Sequence, residues 1–566
     1  MNRLSRYYPL AFVTVTGGVV MGLEILGTRV IGTVYGASLF VWGALLTTTL
    51  VCLAIGYAIG GVVADRWPHD WLLYLLVMLA GGASLAIPTM QGLLEPCFRW
   101  FGARGGALVS AFAIFAGPLI LLGVASPFVV RLMARGLRTT GRIAGAVFAL
   151  STTGSVAGTL LASFYLIPEF GTRWSLAVQG AALILVGAIG LAVRFGPRAL
   201  PTAALAAVAW PIACGGPATS GEVLLRTESP YGRMAVVQPK GSGYRMLFVN
   251  GILQTGMPLD IARRDRTSML RTDSYYLELL PYFHEDPDEP RTCLLIGLAG
   301  GCFARVMELY PIHVTAVEID VKVAELAKAY FGYRGPIRYG DGREHVVRPG
   351  RFGARGLADG GAAAGPEPPA EDEPADPPRE EPYRGGVVIE DGRLFLSSCG
   401  RRFDFIVLDA YNSDTIPFHL ITREMFTAVR DHLADDGILA INYIGRPCGD
   451  MVTDSLVRTL ADVFGQDRVV AYRSTDNPEA VQVIYFFAFR AQPRRPSLPA
   501  SRWSPDAGDV DPLAYELVTR RLDLPADRGA VITDDHNPIN VARIRTALTW
   551  RAQALAEFGE LRLHRF

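Results

Sequence analysis

Lysine is absent from the first 217 of the 566 residues, and charge of either sign is sparse there: 13 Arg against 5 Asp or Glu, a net of +8. So few charges exclude an ordinary soluble domain over that stretch. The other 349 residues carry 41 basic and 49 acidic groups, a net of −8, so the overall neutrality is the sum of two unlike halves. Cysteine is scarce and scattered. The seven thiols stand singly, with no Cys-x-x-Cys pair and no His spaced for a zinc cage, which argues against a disulfide scaffold or a metal site. Only eight His and no basic surplus are present, so no nucleic-acid partner is expected. The basic residues are almost all Arg, which we read as coding bias.

The charge-poor half is rich in apolar runs. Segments near the roughly 20 residues needed to cross a bilayer as a helix fall at 9–34, 39–64, 71–94, 106–134, 143–167 and 174–193, with a weaker Ala-rich run at 199–214. Residues 1–217 therefore read as a polytopic membrane bundle of six or seven spans. Arg3, Arg6, Arg66, Arg131, Arg135, Arg138, Arg142, Arg194 and Arg198 fall on one side, and Arg99, Arg104 and Arg173 on the other. Positive loops stay in the cytoplasm, which puts the amino terminus there. Six spans keep the second half cytoplasmic, whereas a seventh would export it. Six spans plus an interfacial or re-entrant segment are preferred. Glu24 and Arg29 lie inside the first span, where a charge is costly and either pairs or lines a polar path. Gly56 and Gly60, and Gly154 and Gly158, have the spacing of close helix packing.

After residue 217 the rhythm changes. RMAVVQP and YRMLFVN, separated by Lys240-Gly241-Ser242-Gly243, read as a hairpin within a small β element at 222–260. From 261 to 545 strands and helices alternate: CLLIGLAGG and CFARVMELY, HVTAVEID and VKVAELAKAYF, then VVIEDGRLFL, FDFIVLDAY, REMFTAVRDHL and GILAINYI. That alternation implies an α/β doubly wound, Rossmann-like domain. The Pro, Gly and acid-rich stretch 353–385 cannot bury a core and is expected to be a disordered insertion, and 546–566 a C-terminal tail.

The chemistry-bearing pattern is the first strand, turn and helix. Gly297, Gly300 and Gly301 let a ligand approach the backbone, and Glu318 ends the next strand, where a carboxylate can accept hydrogen bonds from a ribose. Asp391, in Glu390-Asp391-Gly392, sits where an acid meets an adenine amino group. Asp341 competes for that contact, but the run of VVIEDGRLFL into FDFIVLDAY favours Asp391. Asp409 ends the following strand, at the carboxyl edge where such sheets bind ligands. A helix cap or turn also explains Asp391 or Asp409 taken singly.

NGILQTG (250–256), SYYLELL (274–280), LLIGLAGG, AVEID, VVIEDGRLFL, DFIVLDAYNSDTIPFHLITREMF (404–426) and ITDDHNPIN (532–540) together resemble the spermidine synthase (polyamine aminopropyltransferase) family, specifically its membrane-fused members. The resemblance covers about 225–545 and implies an S-adenosylmethionine-methyltransferase-type sheet. It implies aminopropyl transfer from decarboxylated S-adenosylmethionine to a polyamine or related amine, without a metal. It assigns Gln254, Glu318 and Asp391 to the nucleoside donor, Gly297 and Gly301 to the turn, Tyr276 to the acceptor site, and Asp409 to catalysis. Asn412 replaces a family carboxylate, which leaves Asp414, two residues on, as the candidate substrate contact. Gly300 stands where soluble members carry Asp. Loss of that acid would suit a donor that keeps its carboxylate, so methyl transfer from S-adenosylmethionine is the alternative. A third possibility is a membrane transporter or sensor whose globular half binds a nucleoside or polyamine without turnover. The expected setting is a multi-pass protein of the inner membrane, in contact with lipid, with its catalytic half cytoplasmic. Homodimers are the assembly that soluble relatives suggest.

Overall fold

The computed structural model describes residues 3–36, 39–134, 137–196, 223–259, 276–347, 385–412, 415–447, 449–496, 519–535 and 544–558. The chain divides into two compact units, one of Met1–Ser220, Thr227–Arg233 and Phe558–Phe566, the other of Gly221–Arg226 and Met234–Glu557. The sequence runs 199–214 and 353–384 lie outside the described residues.

The first unit is helical: α1 (Arg3–Tyr35), α2 (Leu39–Arg66), α3 (Asp70–Met90), α4 (Leu94–Gly123), α5 (Ala125–Met133), α6 (Leu137–Leu161) and α7 (Ile167–Phe195). Five helical stretches are long and apolar enough to cross a membrane. The last, Thr139–Phe195, has 57 residues, about 85 Å at the helical rise per residue. That far exceeds a hydrocarbon core of about 30 Å. It breaks at Gly171, whose φ of 75° and ψ of 173° are not helical. The runs 143–167 and 174–193 fall on either side of that break, so the described helices contain all six of the apolar runs. A π-helical turn, Ala162–Leu166, joins α6 to α7.

Small residues set the helix contacts. α1 packs on α6, α3 on α7 and α2 on α4. A Cβ at Gly154 would lie 1.9 Å from the Thr14 carbonyl oxygen, and one at Gly158 2.1 Å from that of Gly18, so α6 touches α1 backbone to backbone. Two ion pairs tie helix ends together: Arg131 Nε to Asp65 at 2.7 Å, and Arg194 Nε to Asp70 at 3.3 Å. The end of α2, the start of α3 and the ends of α5 and α7 therefore share one end of the unit, where the sequence groups Arg66, Arg131 and Arg194.

The second unit opens with a four-stranded sheet, β1 (Val223–Glu228), β2 (Arg233–Val237), β3 (Tyr244–Val249) and β4 (Ile252–Pro258), in that spatial order. β2 and β3 pair antiparallel with Met234 opposite Val249, the expected hairpin. Next come β5 (Arg291–Ile296), α8 (Cys302–Met307), β6 (Ile312–Glu318), α9 (Val321–Tyr330), β7 (Ile337–Tyr339), β8 (Gly386–Ile389), α10 (Gly392–Cys399), β9 (Phe403–Leu408), α11 (Arg423–His432), β10 (Leu433–Gly445), α12 (Met451–Phe464), β11 (Val469–Arg473), β12 (Gln482–Phe489) and α13 (Ile544–Phe558). Eight strands form one sheet in the order β11-β12-β10-β9-β5-β6-β8-β7, parallel from β10 to β7, with β12 antiparallel to its neighbours.

Apolar strands such as CLLI arise because helices cover both faces. Cys293 and Leu295 enter one core with Phe303, Leu326 and Phe331, while Leu294 and Ile296 enter the other with Phe395, Phe426 and Leu456. Part of the expected C-terminal tail is α13, whose Arg551 is buried and donates to the Asn250 carbonyl at 3.2 Å.

His284 is buried at the amino-terminal edge of the large sheet, with Nδ1 3.4 Å from Asp436 and its ring edge-on to Phe405. Burial first, and then the Arg291 guanidinium, push its pKa down to about 4. A neutral imidazole in the fold and an ordinary one near 6.5 in the unfolded chain mean that the unfolded state binds more protons between those values. The contribution is complete above about pH 6.5, is lost as pH falls toward 4, and amounts to roughly 3 kcal/mol. Thermal melts of the full chain in detergent should show stability falling from pH 7 to pH 4.5. The fall should be shallower in His284→Phe, and an unchanged slope in that variant would refute the assignment.

Candidate functional site

The spatial order of the large sheet reverses between β5 and β9: from β5 the chain moves outward through β6 to β8, whereas β9 leads to β10 on the other side. In parallel sheets, a crevice opens at the carboxyl edge of such a junction. Gly297 follows β5 with φ 97°, and a Cβ there would lie 2.3 Å from the Asp409 carbonyl oxygen. Its amide donates to Val317 O at 2.8 Å, and the Asp409 amide donates to Ile296 O at 2.9 Å. The glycine turn and the residue ending β9 are thus locked together through their main chains. The turn continues with left-handed Ala299 and Gly301, φ 47° and 72°, and Gly301 caps the six-residue α8.

Glu318 ends β6 and receives the turn. Its two carboxylate oxygens accept the Leu298 amide at 3.0 Å and the Asp320 amide at 3.1 Å. Burial pushes its carboxyl above the usual range, against the lowering effect of those amides. The Ala299 amide acts on the same carboxylate, so the turn holds Glu318 entirely through main-chain donors.

Gln254 lies on β4 and donates from Nε2 to the Leu253 carbonyl at 3.4 Å, and its neighbour is the residue that meets the turn. Thr255, on β4, accepts the Gly300 amide on Oγ1 at 2.9 Å, so the small sheet is tied to the glycine turn. That contact also gives the glycine at 300 a packing reason. A Cβ at residue 300 would meet Thr255 Cγ2 at 2.8 Å and Phe331 at 3.1 Å. The missing side chain makes room for protein packing, and so gives no support to a donor that keeps its carboxylate.

Asp391 follows β8, which pairs with the Glu318 strand. One carboxylate oxygen caps α10 by accepting the Arg393 and Leu394 amides at 3.0 and 3.1 Å, and the other lies 2.9 Å from His419 Nε2. The hydrogen bond with His419 is the main reason its carboxyl is held below the usual carboxylate range. Arg393 donates from Nη1 to the His419 carbonyl at 3.2 Å and to Asp534 at 2.7 Å. The cap expected as the plain explanation of Asp391 is present, and the histidine contact comes with it. Asp341 follows the edge strand β7, is exposed, and pairs with its neighbour Arg343 at 2.7 Å.

At the end of β9, Asp409 Oδ1 accepts Asn442 Nδ2 at 2.8 Å. Tyr411 closes the same corner by donating to Asn442 O at 2.7 Å and accepting the Ile444 amide at 3.0 Å. Asn442 and His419 were not singled out in the sequence. Their signals were an amide inside the apolar run GILAINYI and a histidine between apolar residues in IPFHLI.

Gly297, Gly301, Glu318, Asp391 and Asp409 converge on the carboxyl edges of adjacent strands, with Gln254 next to Thr255. Tyr276 is placed in the core: it is fully buried, stacked on Tyr472 at 5.7 Å and tilted against Tyr485 at 5.2 Å. Asp414 lies outside the described residues.

A largely parallel sheet with a glycine turn after β5 and an acid after each of β9, β6 and β8 defines the class: a Rossmann-like domain. No family model matches the chain. Over 181 residues, 31% of this chain and 30% of the relative, it is 29% identical to a protein of Bifidobacterium longum named probable polyamine aminopropyl transferase. Over 183 residues, 31% of this chain and 45% of the relative, it is 27% identical to the polyamine aminopropyltransferase of Vibrio vulnificus. The chain therefore spans between about a third and a half of the length of these curated relatives. A solved structure described as a probable spermidine synthase from Corynebacterium glutamicum aligns at 15% identity and a TM-score of 0.36, covering 55% of this chain and 96% of that one. Over about a third of its length, then, the chain is similar to the polyamine aminopropyltransferases, the family that its motifs resemble.

The glycine turn is open to a direct check. Replacing Gly297 by Ala adds a methyl group at a positive φ and drives it into main-chain atoms. It should cost about 2–4 kcal/mol, from backbone strain and overpacking together. Differential scanning calorimetry should show a large drop in melting temperature, whereas a wild-type melt would mean that the turn is not as described.

Proposed function

We propose that the globular half transfers an aminopropyl group from decarboxylated S-adenosylmethionine to a polyamine or a related small amine. The observation that carries this is the main-chain lock between Gly297 and Asp409, which sets a carboxylate beside the turn that would receive the nucleoside. The aminopropyltransferase relatives support the same chemistry. Glu318 would accept the ribose hydroxyls, Asp391 the adenine amino group, and Gln254 would contact the donor from β4. Tyr276 and Asp414 remain the candidates for the acceptor side.

The neutral nitrogen of the acceptor attacks the methylene next to the donor sulfonium. A new C–N bond forms, the C–S bond breaks with its electron pair going to sulfur, and methylthioadenosine leaves. The attacking amine must first lose a proton, and Asp409 would take it and orient the lone pair. Asn442, by donating to Oδ1, would fix the orientation of the Asp409 carboxylate. No metal is required by this chemistry. The six apolar runs, with Arg grouped at one end of the helical unit, support a multi-pass protein of the inner membrane whose catalytic half faces the cytoplasm, where the donor is made.

Full-length protein in detergent, given decarboxylated S-adenosylmethionine and a panel of polyamines, should release methylthioadenosine. Asp409→Asn should lower kcat about 10²–10⁴-fold, the range for a lost general base, with donor affinity changed less than threefold by calorimetry. Release with no amine in the panel, or a fully active Asp409→Asn variant, would refute the proposal.

A further inference from the structure

From the helical unit we infer a second ligand site, outside the transferase crevice: Glu24 is the anionic contact of a buried site for an organic ammonium ion. Glu24 lies within the first apolar stretch, Tyr8–Tyr35, and is 7% exposed. An ionised carboxylate so placed needs a compensating partner. Arg29, the other charge of that stretch, does not supply it. Its guanidinium donates to the carbonyls of Ser229, at 3.1 Å, and of Pro230. Among the described residues Glu24 makes no hydrogen bond or ion pair.

The neighbouring side chains indicate the chemistry of a partner for it. One helical turn along the same face, a Cβ at Gly27 would meet Leu45 of α2 at 2.7 Å and the ring of Phe115 of α4 at 3.4 Å. α1 and α2 are joined by a short connection and run antiparallel, so stepping one turn back to Glu24 steps one turn forward from Leu45 to Thr48. Thr48 is fully buried, and its Oγ1 has no hydrogen-bond partner among the described residues. The π-helical turn Ala162–Leu166 also packs on α1. The close approaches of Gly154 to Thr14 and of Gly158 to Gly18 run in step along α1 and α6, which brings that turn to the level of Glu24. π-turns widen a helix locally and recur at ligand sites.

One carboxylate, one hydroxyl and an aromatic ring cannot supply the six or more oxygens of a hard divalent cation. They do suit an ammonium carried on an apolar stem: the carboxylate takes the charge, the hydroxyl an N–H, and the ring the carbon chain. The inference stands apart from the transferase proposal, since it uses no residue of the crevice, although both sites would take amines.

The test uses full-length protein in detergent with dicyclohexylcarbodiimide, which modifies protonated carboxyls in apolar surroundings, and peptide mass spectrometry to read the extent at Glu24. Glu24 should be labelled, and millimolar putrescine should slow labelling at least fivefold in both the wild type and Asp409→Asn. Sodium chloride at equal ionic strength should not. Glu24→Gln is the blank for the labelled peptide. Protection by sodium equal to that by putrescine, no protection by either, or no labelling would overturn the inference. Absence of transferase activity in the wild type with protection intact would refute only the transferase proposal.

Discussion

The second unit depends on one contact, that between the main chains of Gly297 and Asp409. Two adjacent parallel strands end there and their chains diverge to opposite sides of the sheet, which opens a crevice. Only a residue without a side chain lets the β5 turn lie against the end of β9, and only a positive φ sends it toward Glu318. The placement of the other acids follows. Glu318 is held by the amide of the residue after the glycine, Asp391 stands on the strand beside it, and Asp409 is fixed on the opposite side of the turn. The carboxylates are therefore held by backbone geometry and not by long flexible side chains, as a site that must orient an in-line displacement requires.

The chain solves two burial problems by different means. In the second unit, polar side chains near the crevice are held by hydrogen bonds: Asp409 by Asn442, Asp391 by His419 and the α10 amides, Thr255 by Gly300. In the helical unit, contact is made by removing side chains, with glycine against main chain at the α1 and α6 interface. Glycine spacing of this kind is the packing found between helices in a bilayer, where the hydrophobic effect does not drive them together. Against that background a buried carboxylate such as Glu24 is conspicuous.

Much of this was legible in the sequence, because the signals were periodic or local. Strand length and unbroken apolarity marked β5, β6 and β9, and their ends marked Glu318 and Asp409. The break at Gly171 was legible as the gap between the apolar runs 143–167 and 174–193, although not as that particular residue. Gly300 illustrates a second limit. Its small size was visible, but whether the space belongs to a ligand or to Thr255 and Phe331 depends on a strand more than 40 residues away. His419 and Asn442 were hidden for the same reason, as their partners lie 28 and 33 residues distant. Tyr276 was assigned by resemblance, and its stacking on Tyr472 depends on how β11 and β12 fold back.

The central claim is that the crevice at Gly297, Glu318 and Asp409 binds an adenosine-based sulfonium donor lacking a carboxylate. The most direct measurement is calorimetric titration of the full-length protein with decarboxylated S-adenosylmethionine and, separately, with S-adenosylmethionine. The account requires at least tenfold tighter binding of the decarboxylated donor, with that binding lost in Glu318→Ala. Tighter binding of the carboxylated donor, or equal binding in Glu318→Ala and the wild type, would contradict it.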